Sequence, residues 1–355
     1  MSIDLTLDGQ VVPFQEGETL YEVASRHGDK IPTLCYDKRL DPLGACRLCV
    51  VEVEGANGPL ASCTTPARAD MIVRTVTEDL ERHRKTLVDL VLSENPKGAE
   101  IDPLRGLASQ ELAQLSVRYG SDGTRFAGAT SGHSRFDDPN PMILRDYDNC
   151  ISCYRCVRVC AEQEGDYAIS ITGRGFGTQI SAEFDVDLED SDCTFCGQCI
   201  QTCPTGALGD LRALQHADLP EPITATRSIC PYCGVGCSLD LLTKGETLVG
   251  VQPAMDGPAN EGALCIKGQF AWEWVQHPDR LKEPLVRKDG ELVPATWEEA
   301  LDRAAAGFAQ AAAEHGRRSV YAVASGRAPH ESAYLVQKFI RVNFGTNQID
   351  NCSRA

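Results

Sequence analysis

The spacing of the cysteines is the feature that most constrains what this chain can fold into. Seventeen cysteines occur in 355 residues, and sixteen of them fall into four sets of four. The first residues lack the basic and apolar regions of an export signal, so we expect a reducing compartment, the cytoplasm, where thiols bind metals instead of pairing as disulfides. A chain of this length is also expected to form two or more domains. The cysteine sets therefore predict several metal-binding units in series.

The second and third sets share the spacing C-x2-C-x2-C-x3-C, in "CISCYRCVRVC" and "CTFCGQCIQTCP". In a two-cluster ferredoxin, the first three thiols of each set bind one [4Fe–4S] cluster and the fourth binds the other cluster. The predicted ligands are Cys150, Cys153, Cys156 and Cys203 for one cluster, and Cys193, Cys196, Cys199 and Cys160 for the other. Zinc sites or reduced core cysteines are the alternative. We predict a two-[4Fe–4S] ferredoxin domain over residues 141–215.

The first set comprises Cys35, Cys46, Cys49 and Cys63. Four thiolates suit a [2Fe–2S] cluster, with two for each iron. A four-cysteine zinc site is the alternative, but it favours two separated C-x2-C knuckles and only one is present in this set. Gly44, close to that knuckle, is expected to let the loop approach the inorganic sulfides.

The sequence around the first set predicts strands and one helix. Apolar and polar residues alternate on both sides of Asp8-Gly9, which is a strong hairpin signal. The stretch "GETLYEVASRHG" predicts a short helix with Leu20, Val23 and Ala24 on one face, and a second hairpin turns through "ANG". These elements predict a [2Fe–2S] β-grasp ferredoxin-like domain over residues 1–76.

The segment over residues 77–140 contains few structural signals. It predicts an amphipathic helix from Thr77 to Ser93 and another helix in "SQELAQLSVRYG", followed by residues rich in Gly, Ser, Asp and Pro. We interpret it as a helical linker.

The last segment, residues 281–355, alternates helix, strand and helix, as at the start of an α/β domain. Thr296 and Glu299 form a capping box before a long helix. A buried strand, "SVYAVAS", and a helix ending at Gly345 follow. With the preceding units, this predicts a multidomain α+β protein.

The fourth cysteine set is Cys230, Cys233, Cys237 and Cys265, spaced C-x2-C-x3-C-x27-C. These soft ligands on two loops can hold a third [4Fe–4S] cluster. Their spacing, with "GALCIKG" around Cys265, resembles the proximal-cluster domain of molybdopterin (bis-MGD) oxidoreductases, here over residues 223–280. The resemblance implies that Lys267 lies between cluster and pterin and relays electrons, and an ordinary solvated lysine is the alternative.

The order of the modules resembles the α subunit of cytoplasmic formate dehydrogenases linked to NAD(P) or ferredoxin, and also the large iron–sulfur subunit of complex I. The resemblance implies a Mo- or W-bis-MGD centre in the full-length protein and formate as the substrate. It also implies a flavin- and NAD(P)-binding diaphorase subunit, or a ferredoxin, as the partner. Relatives often carry a further [4Fe–4S] cluster held by one histidine and three cysteines. Asn95 stands where that histidine is expected and no cysteine follows before Cys150, so we predict that this cluster is absent.

The final residues, "NQIDNCSRA", resemble the first half of the pattern C-x-R-x-(Cys or Sec)-His in formate dehydrogenases. The resemblance implies that the catalytic, metal-binding residue is expected immediately after Ala355, with none inside the chain. An in-frame selenocysteine codon or a plain truncation accounts for this end. Cys352, the cysteine outside the four sets, is expected to be structural.

Charge and hydropathy exclude some classes of function. Acidic residues outnumber basic ones by 51 to 34, which argues against nucleic acid or an anionic membrane as partner. No apolar stretch is long enough to span a bilayer. A non-catalytic iron–sulfur carrier or complex I-like subunit is the alternative function, although Lys267 and the C-x-R ending argue against it. An iron-only hydrogenase is rejected because its further cysteine motifs are missing and the fourth set should not occur in it.

Overall fold

The computed structural model describes residues 3–28, 30–95, 101–126 and 138–352, together with the backbone of residues 135–136. Along this length the chain forms a series of small units, each built around its own sheet. None of the helices within these ranges is long and apolar enough to cross a membrane.

The first unit is a five-stranded sheet in the order β2-β1-β5-β3-β4, with one short helix packed on it. Its elements are β1 Ile3–Leu7, β2 Gln10–Phe14, α1 Leu20–Arg26, β3 Val50–Val53, β4 Leu60–Ala61 and β5 Ile72–Arg74. Strand β1 pairs parallel with β5, and the other pairings are antiparallel. Both residues of the first hairpin turn, Asp8 and Gly9, have positive φ, as a two-residue turn between twisted strands requires. The predicted apolar face of α1 is confirmed, since Leu20, Val23 and Ala24 are buried.

Two helices follow, α2 Glu78–Glu94 and α3 Glu111–Tyr119. Thr77 caps α2 by accepting a hydrogen bond from the Leu80 amide. The two helices share a core with Leu34 and Leu48 of the first unit. The described part of the expected linker is therefore packed into the protein, and Leu112 of α3 is fully buried. The sequence predicts both helices of this segment but not which distant residues their apolar faces contact. Residues 96–100 and 127–134 of the same segment lie outside the described ranges.

The next unit holds the second and third cysteine sets. Its elements are β6 Arg135–Phe136, β7 Ile143–Asp146, α4 Arg155–Val159, β8 Ile169–Thr172, β9 Gln179–Ala182, α5 Gln198–Thr202, β10 Leu208–Asp210 and α6 Leu211–Leu214. Strands β10, β7 and β6 form one antiparallel sheet, and β8 and β9 form a separate hairpin. The core between the two short helices and these strands includes Ile200 and Leu208.

The fourth cysteine set belongs to a unit with a three-stranded antiparallel sheet. Its elements are β11 Ile223–Ile229, β12 Ser238–Lys244, β13 Thr247–Pro253 and α7 Ile266–Phe270. Helix α7 packs directly on the preceding unit, because Phe270 enters its core. The Gly197 backbone lies so close to the Gln269 side chain that a Cβ on Gly197 would be 2.6 Å from Cγ of Gln269. The loop of the third cysteine set therefore rests on the helix that follows Cys265.

The last unit begins with a hairpin and continues as helix, strand, helix and strand. Its elements are β14 Leu285–Lys288, β15 Glu291–Pro294, α8 Trp297–His315, β16 Ala322–Ala324, α9 His330–Phe344 and β17 Ile349–Asn351. Helix α9 ends at the left-handed Gly345, as predicted. Thr296 caps α8 by accepting a hydrogen bond from the Glu299 amide. The predicted capping box is only half formed, because the Glu299 carboxylate pairs with Lys288 at 2.7 Å.

The prediction of a buried strand in this unit was wrong. Strand β16 pairs in parallel with β17 in a two-stranded sheet, and the Val323 side chain is 57% exposed. A strand of consecutive apolar residues is fully buried only when other elements cover both faces of its sheet. Within the described ranges α9 packs against β16, and the face that bears Val323 remains open.

Candidate metal centres

The second and third cysteine sets lie on two loops with the same backbone geometry. Ser152 and Phe195, each just before the second cysteine of its set, have φ of 51° and 54°. Tyr154 and Gly197, each just after that cysteine, have φ of 62° and 76°. Alternation of left-handed residues curls each loop so that successive thiols face one centre. The residue types do not predict these strained left-handed conformations, because three of the four residues are not glycine.

The structure brings together the two crossed groups of thiols that the spacing predicts. Cys203 lies close enough to Cys150, Cys153 and Cys156 for its charge to raise the pKa of all three thiols. The other group comprises Cys160, Cys193, Cys196 and Cys199, which line one enclosed pocket. Apolar side chains such as Ile169, Leu188 and Leu208 complete this pocket.

Burial raises the pKa of these thiols. It raises the pKa of Cys150 to about 11 and that of Cys153 to about 12, and the nearby Cys203 raises both further. The pKa of Cys193 rises to about 11 and that of Cys196 to about 12 for the same reason, with Cys160 as the neighbouring thiol. Without metal the thiols are therefore protonated at neutral pH, and metal binding here would release protons.

The first cysteine set is almost entirely buried beneath the β-grasp sheet. Its thiols pair by hydrogen bonds, Cys35 with Cys46 and Cys49 with Cys63. The hydrogen bond with Cys35 lowers the pKa of Cys46 to about 5, while Cys35 keeps the shared proton. Backbone amides add to this, because the Leu34 amide donates to Sγ of Cys46 at 3.4 Å. Within each pair, therefore, one thiol favours the thiolate form that binds iron, Cys46 and Cys49, while hydrogen bonding and burial raise the pKa of the other, Cys35 and Cys63.

Two residues near the first set bear on its geometry. Gly44, expected to let the loop approach the inorganic sulfides, has a φ of 68°, and a Cβ there would lie 3.0 Å from Cγ2 of Thr64. Arg84 of α2 was missed in the sequence. Its buried guanidinium donates to the Leu48 carbonyl at 3.2 Å and to the Val50 carbonyl at 2.8 Å, and so holds the loop that contains Cys46 and Cys49.

The fourth set lies at the end of the β11–β12 connection and at the start of α7. The Cys230 amide donates to the Cys237 carbonyl at 2.9 Å, closing the first loop, and Cys265 lies near both thiols. Asn260, also missed in the sequence, links the two loops. Its side chain accepts from the Ser238 amide at 2.9 Å and donates to the Ala263 carbonyl at 2.8 Å.

Lys267 lies in the first turn of α7, two residues after Cys265, and is exposed. Its position beside the fourth set is compatible with the electron-relay hypothesis, and its exposure also agrees with the alternative of an ordinary solvated lysine. Residues 327, 330 and 331, at the start of α9, are also exposed.

Asn95, at the position where relatives are expected to have a histidine, is buried at the end of α2. When its side-chain amide is oriented so that both the oxygen and the nitrogen have suitable partners, the nitrogen donates to the Asp148 carbonyl at 3.2 Å and to the Cys150 carbonyl at 3.1 Å. It therefore supports the loop of the second cysteine set through the backbone.

Cys352 is not a member of the four sets. Its sulfur accepts a hydrogen bond from the Gly326 amide at 3.4 Å, joining the end of β17 to the loop after β16. Arg354 and Ala355 lie outside the described residues.

Within the described ranges, no group of three or more His, Cys, Asp or Glu side chains is placed so that it could hold a metal ion as it stands. The donor chemistry of the four sets is purely thiol, which suits iron–sulfur clusters.

Family models match the chain in four consecutive stretches. They describe a 2Fe-2S iron-sulfur cluster binding domain over residues 1–78 and the ferredoxin-like domain of NADH-quinone oxidoreductase subunit 3 over residues 140–209. The Fe4S4 domain of molybdopterin oxidoreductases matches residues 223–277, and the molybdopterin oxidoreductase model matches residues 280–355.

Curated relatives match along almost the whole chain. An NADH-quinone oxidoreductase subunit of Rhizobium meliloti is 35% identical over 355 residues, 99% of this chain and 40% of the relative. NADPH-Fe(3+) oxidoreductase subunit alpha of Geobacter sulfurreducens is 34% identical, with the same coverage of 99% and 40%. A Staphylococcus haemolyticus protein with a provisional formate dehydrogenase name is 31% identical, covering 99% of this chain and 39% of the relative. The chain thus spans about 40% of the length of these relatives.

A chain from the crystal structure of an NAD+-reducing [NiFe]-hydrogenase in the H2-reduced state is also similar. It superposes with a TM-score of 0.53 at 31% identity, over 59% of this chain and 88% of that chain.

Proposed function

We propose that this chain is an iron–sulfur electron-transfer member of the molybdopterin oxidoreductase family and that it carries electrons between a molybdenum or tungsten active site and an NAD(P)-linked partner. The first set would hold a [2Fe–2S] cluster and the other three sets would each hold a [4Fe–4S] cluster. When bound, these clusters supply one-electron transfer. The protein holds them at fixed positions and keeps most of the thiols away from water.

The observation that carries the proposal is the contact between successive cysteine-bearing units. The first unit meets the ferredoxin-like unit at Thr202, whose hydroxyl donates to Asp37 at 2.7 Å. The ferredoxin-like unit meets the fourth set where Gly197 packs on Gln269. Lys267 then lies at the far end of the series, on the turn after Cys265. The three cysteine-bearing units are thus in direct contact with one another, which supports electron transfer between them.

We propose formate as the substrate of the whole protein and carbon dioxide as its product. Support comes from the position of Lys267 beside the fourth set and from the similarity to the provisionally named formate dehydrogenase. We also propose a cytoplasmic location, and a flavin-containing NAD(P)-binding subunit or a ferredoxin as the partner. The similarity to a chain of an NAD+-reducing hydrogenase supports the NAD-linked partner.

A second candidate is an iron–sulfur subunit that accepts electrons from NADH or NADPH and has no formate chemistry. The similarities to the Rhizobium NADH-quinone oxidoreductase subunit and to the Geobacter NADPH-Fe(3+) oxidoreductase subunit favour it. The whole protein, purified without oxygen, separates the two candidates. Reduction of the clusters by formate alone supports formate dehydrogenase. Reduction only by NADH or NADPH through a flavoprotein, with none by formate, favours the second candidate.

The cluster content tests the proposal directly. Iron and sulfide analysis with an EPR redox titration is expected to find one [2Fe–2S] and three [4Fe–4S] clusters per chain. Cys203→Ser is expected to remove a single [4Fe–4S] signal, and Cys352→Ser, the matched control outside the four sets, is expected to remove none. Zinc in place of iron, or an unchanged spectrum in Cys203→Ser, would contradict the proposed ligands.

A further inference from the structure

A buried ion pair lies where three of the cysteine-bearing units meet. Asp37 and Arg39 are joined side-on, with Nε donating to Oδ1 at 3.0 Å and Nη2 donating to Oδ2 at 2.7 Å. Their side chains are only 7% and 6% exposed. We call Asp37 and Arg39 the junction pair. Two parallel hydrogen bonds of this kind fix the orientation of both side chains.

The junction pair binds one residue of each neighbouring unit. Oδ2 of Asp37 accepts from the Thr202 hydroxyl at 2.7 Å, and Nη1 of Arg39 donates to the Gly262 carbonyl at 2.8 Å. Three of the residues in these contacts are close in sequence to predicted cluster ligands. Asp37 is two residues after Cys35, Thr202 directly precedes Cys203, and Gly262 is three residues before Cys265.

A second ion pair reaches the same threonine from the other side. Arg155, between Cys153 and Cys156, donates to the Thr202 carbonyl at 3.1 Å and to the Glu111 carboxylate at 2.7 Å. The two pairs flank a polar cavity of about 280 Å³ between the units. Thr202 therefore bonds to Asp37 of the first unit and to Arg155 of the other cluster loop, and Arg155 in turn bonds to Glu111 of α3.

The physical role of the junction pair is geometric. A buried ion pair adds little net stability, because desolvation offsets the attraction between its charges. It does specify orientation, since each hydrogen bond requires one arrangement of the three units. Arginine suits this role because one guanidinium can serve a carboxylate on one edge and a carbonyl on the other. Lysine cannot make both contacts in the same geometry.

We propose that the junction pair positions the first cysteine set relative to the second and fourth sets, and so sets the rate at which electrons pass between their clusters. Asp37 and Arg39 are positioning residues, since neither is among the predicted ligands. This inference rests on the proposed function, because it requires that the sets hold clusters.

The test compares Arg39→Lys with wild type in the cluster-loaded protein. Arg26→Lys is the matched control, since Arg26 pairs with Glu18 at 2.8 Å inside the first unit, at a partly exposed site. We expect unchanged iron content in both variants. In Arg39→Lys we expect altered magnetic coupling between the [2Fe–2S] cluster and its neighbours by EPR, and transfer between them slowed by about tenfold or more, as for other small misplacements of reacting groups. Arg26→Lys should match wild type.

Thr202→Val provides a second variant, because it removes the 2.7 Å hydrogen bond to Asp37 and leaves the ion pair in place. It decides the question if Arg39→Lys does not fold. Fully loaded variants at positions 39 and 202 with wild-type coupling and transfer rate would overturn the inference. A wild-type protein without the expected clusters would instead refute the proposed function, so the two failures are distinguishable.

Discussion

Arg84→Met tests whether the buried guanidinium of α2 holds the loop of the first cysteine set. The Arg84 side chain is 1% exposed and donates to two carbonyls of that loop, those of Leu48 and Val50. Its third bond, to Glu81, lies at a half-exposed carboxylate that water can solvate after the change. Methionine retains most of the aliphatic volume, so the main loss is the pair of hydrogen bonds. An unsatisfied buried carbonyl costs about 1–3 kcal/mol, and the expected destabilisation is therefore about 2–5 kcal/mol.

Hydrogen exchange of the amides in β3 and β5 measures this loss locally, which is preferable to a global transition in a protein of several units. Arg82→Met is the control on the same helix, because Arg82 is largely exposed and its ion pair with Asp79 is on the surface. The control should change the exchange free energy by no more than about 0.5 kcal/mol. If Arg84→Met stays within that limit as well, the assigned role of Arg84 is incorrect.

Three further predictions concern other parts of the chain. Burial raises the pKa of Asp210 to about 6. The free energy of unfolding should therefore fall by about 2–3 kcal/mol as pH rises from about 4 to 6 and then level off. In chemical unfolding across this pH range Asp210→Asn should lack the decline, and parallel curves for variant and wild type would contradict the assignment. Gly197→Ala would place a Cβ 2.6 Å from Gln269 at a φ of 76°. It should therefore lower the thermal midpoint, at a cost of about 2–4 kcal/mol, whereas Gly175→Ala, also at positive φ but with open space around it, should cost only about 1 kcal/mol. Thr296→Ala removes the cap of α8 and should cost about 1 kcal/mol by hydrogen exchange of that helix; an effect below about 0.3 kcal/mol would argue against the cap.

Local sequence determined the elements whose signals are short-range. The hairpin at Asp8-Gly9, the buried face of α1 and the end of α9 at Gly345 all follow from turn chemistry and periodicity over a few residues. The crossed grouping of the ferredoxin-like thiols is predictable from the repeated C-x2-C-x2-C-x3-C pattern, in which the fourth thiol of each set joins the other set. Residues that act within their own loop can be read in this way.

Tertiary structure alone decided which side chains support those loops. Arg84 bonds to carbonyls 34 and 36 residues earlier in the chain, and Arg39 bonds to a carbonyl 223 residues later. Nothing in the local sequence distinguishes these arginines from the solvated arginines beside them. The exposure of Val323 likewise depends on which elements cover its sheet. The physical reason is the same in each case: spacing governs the reach of a thiol within a loop, whereas burial and hydrogen-bond partners are set by whichever distant segment the fold places alongside.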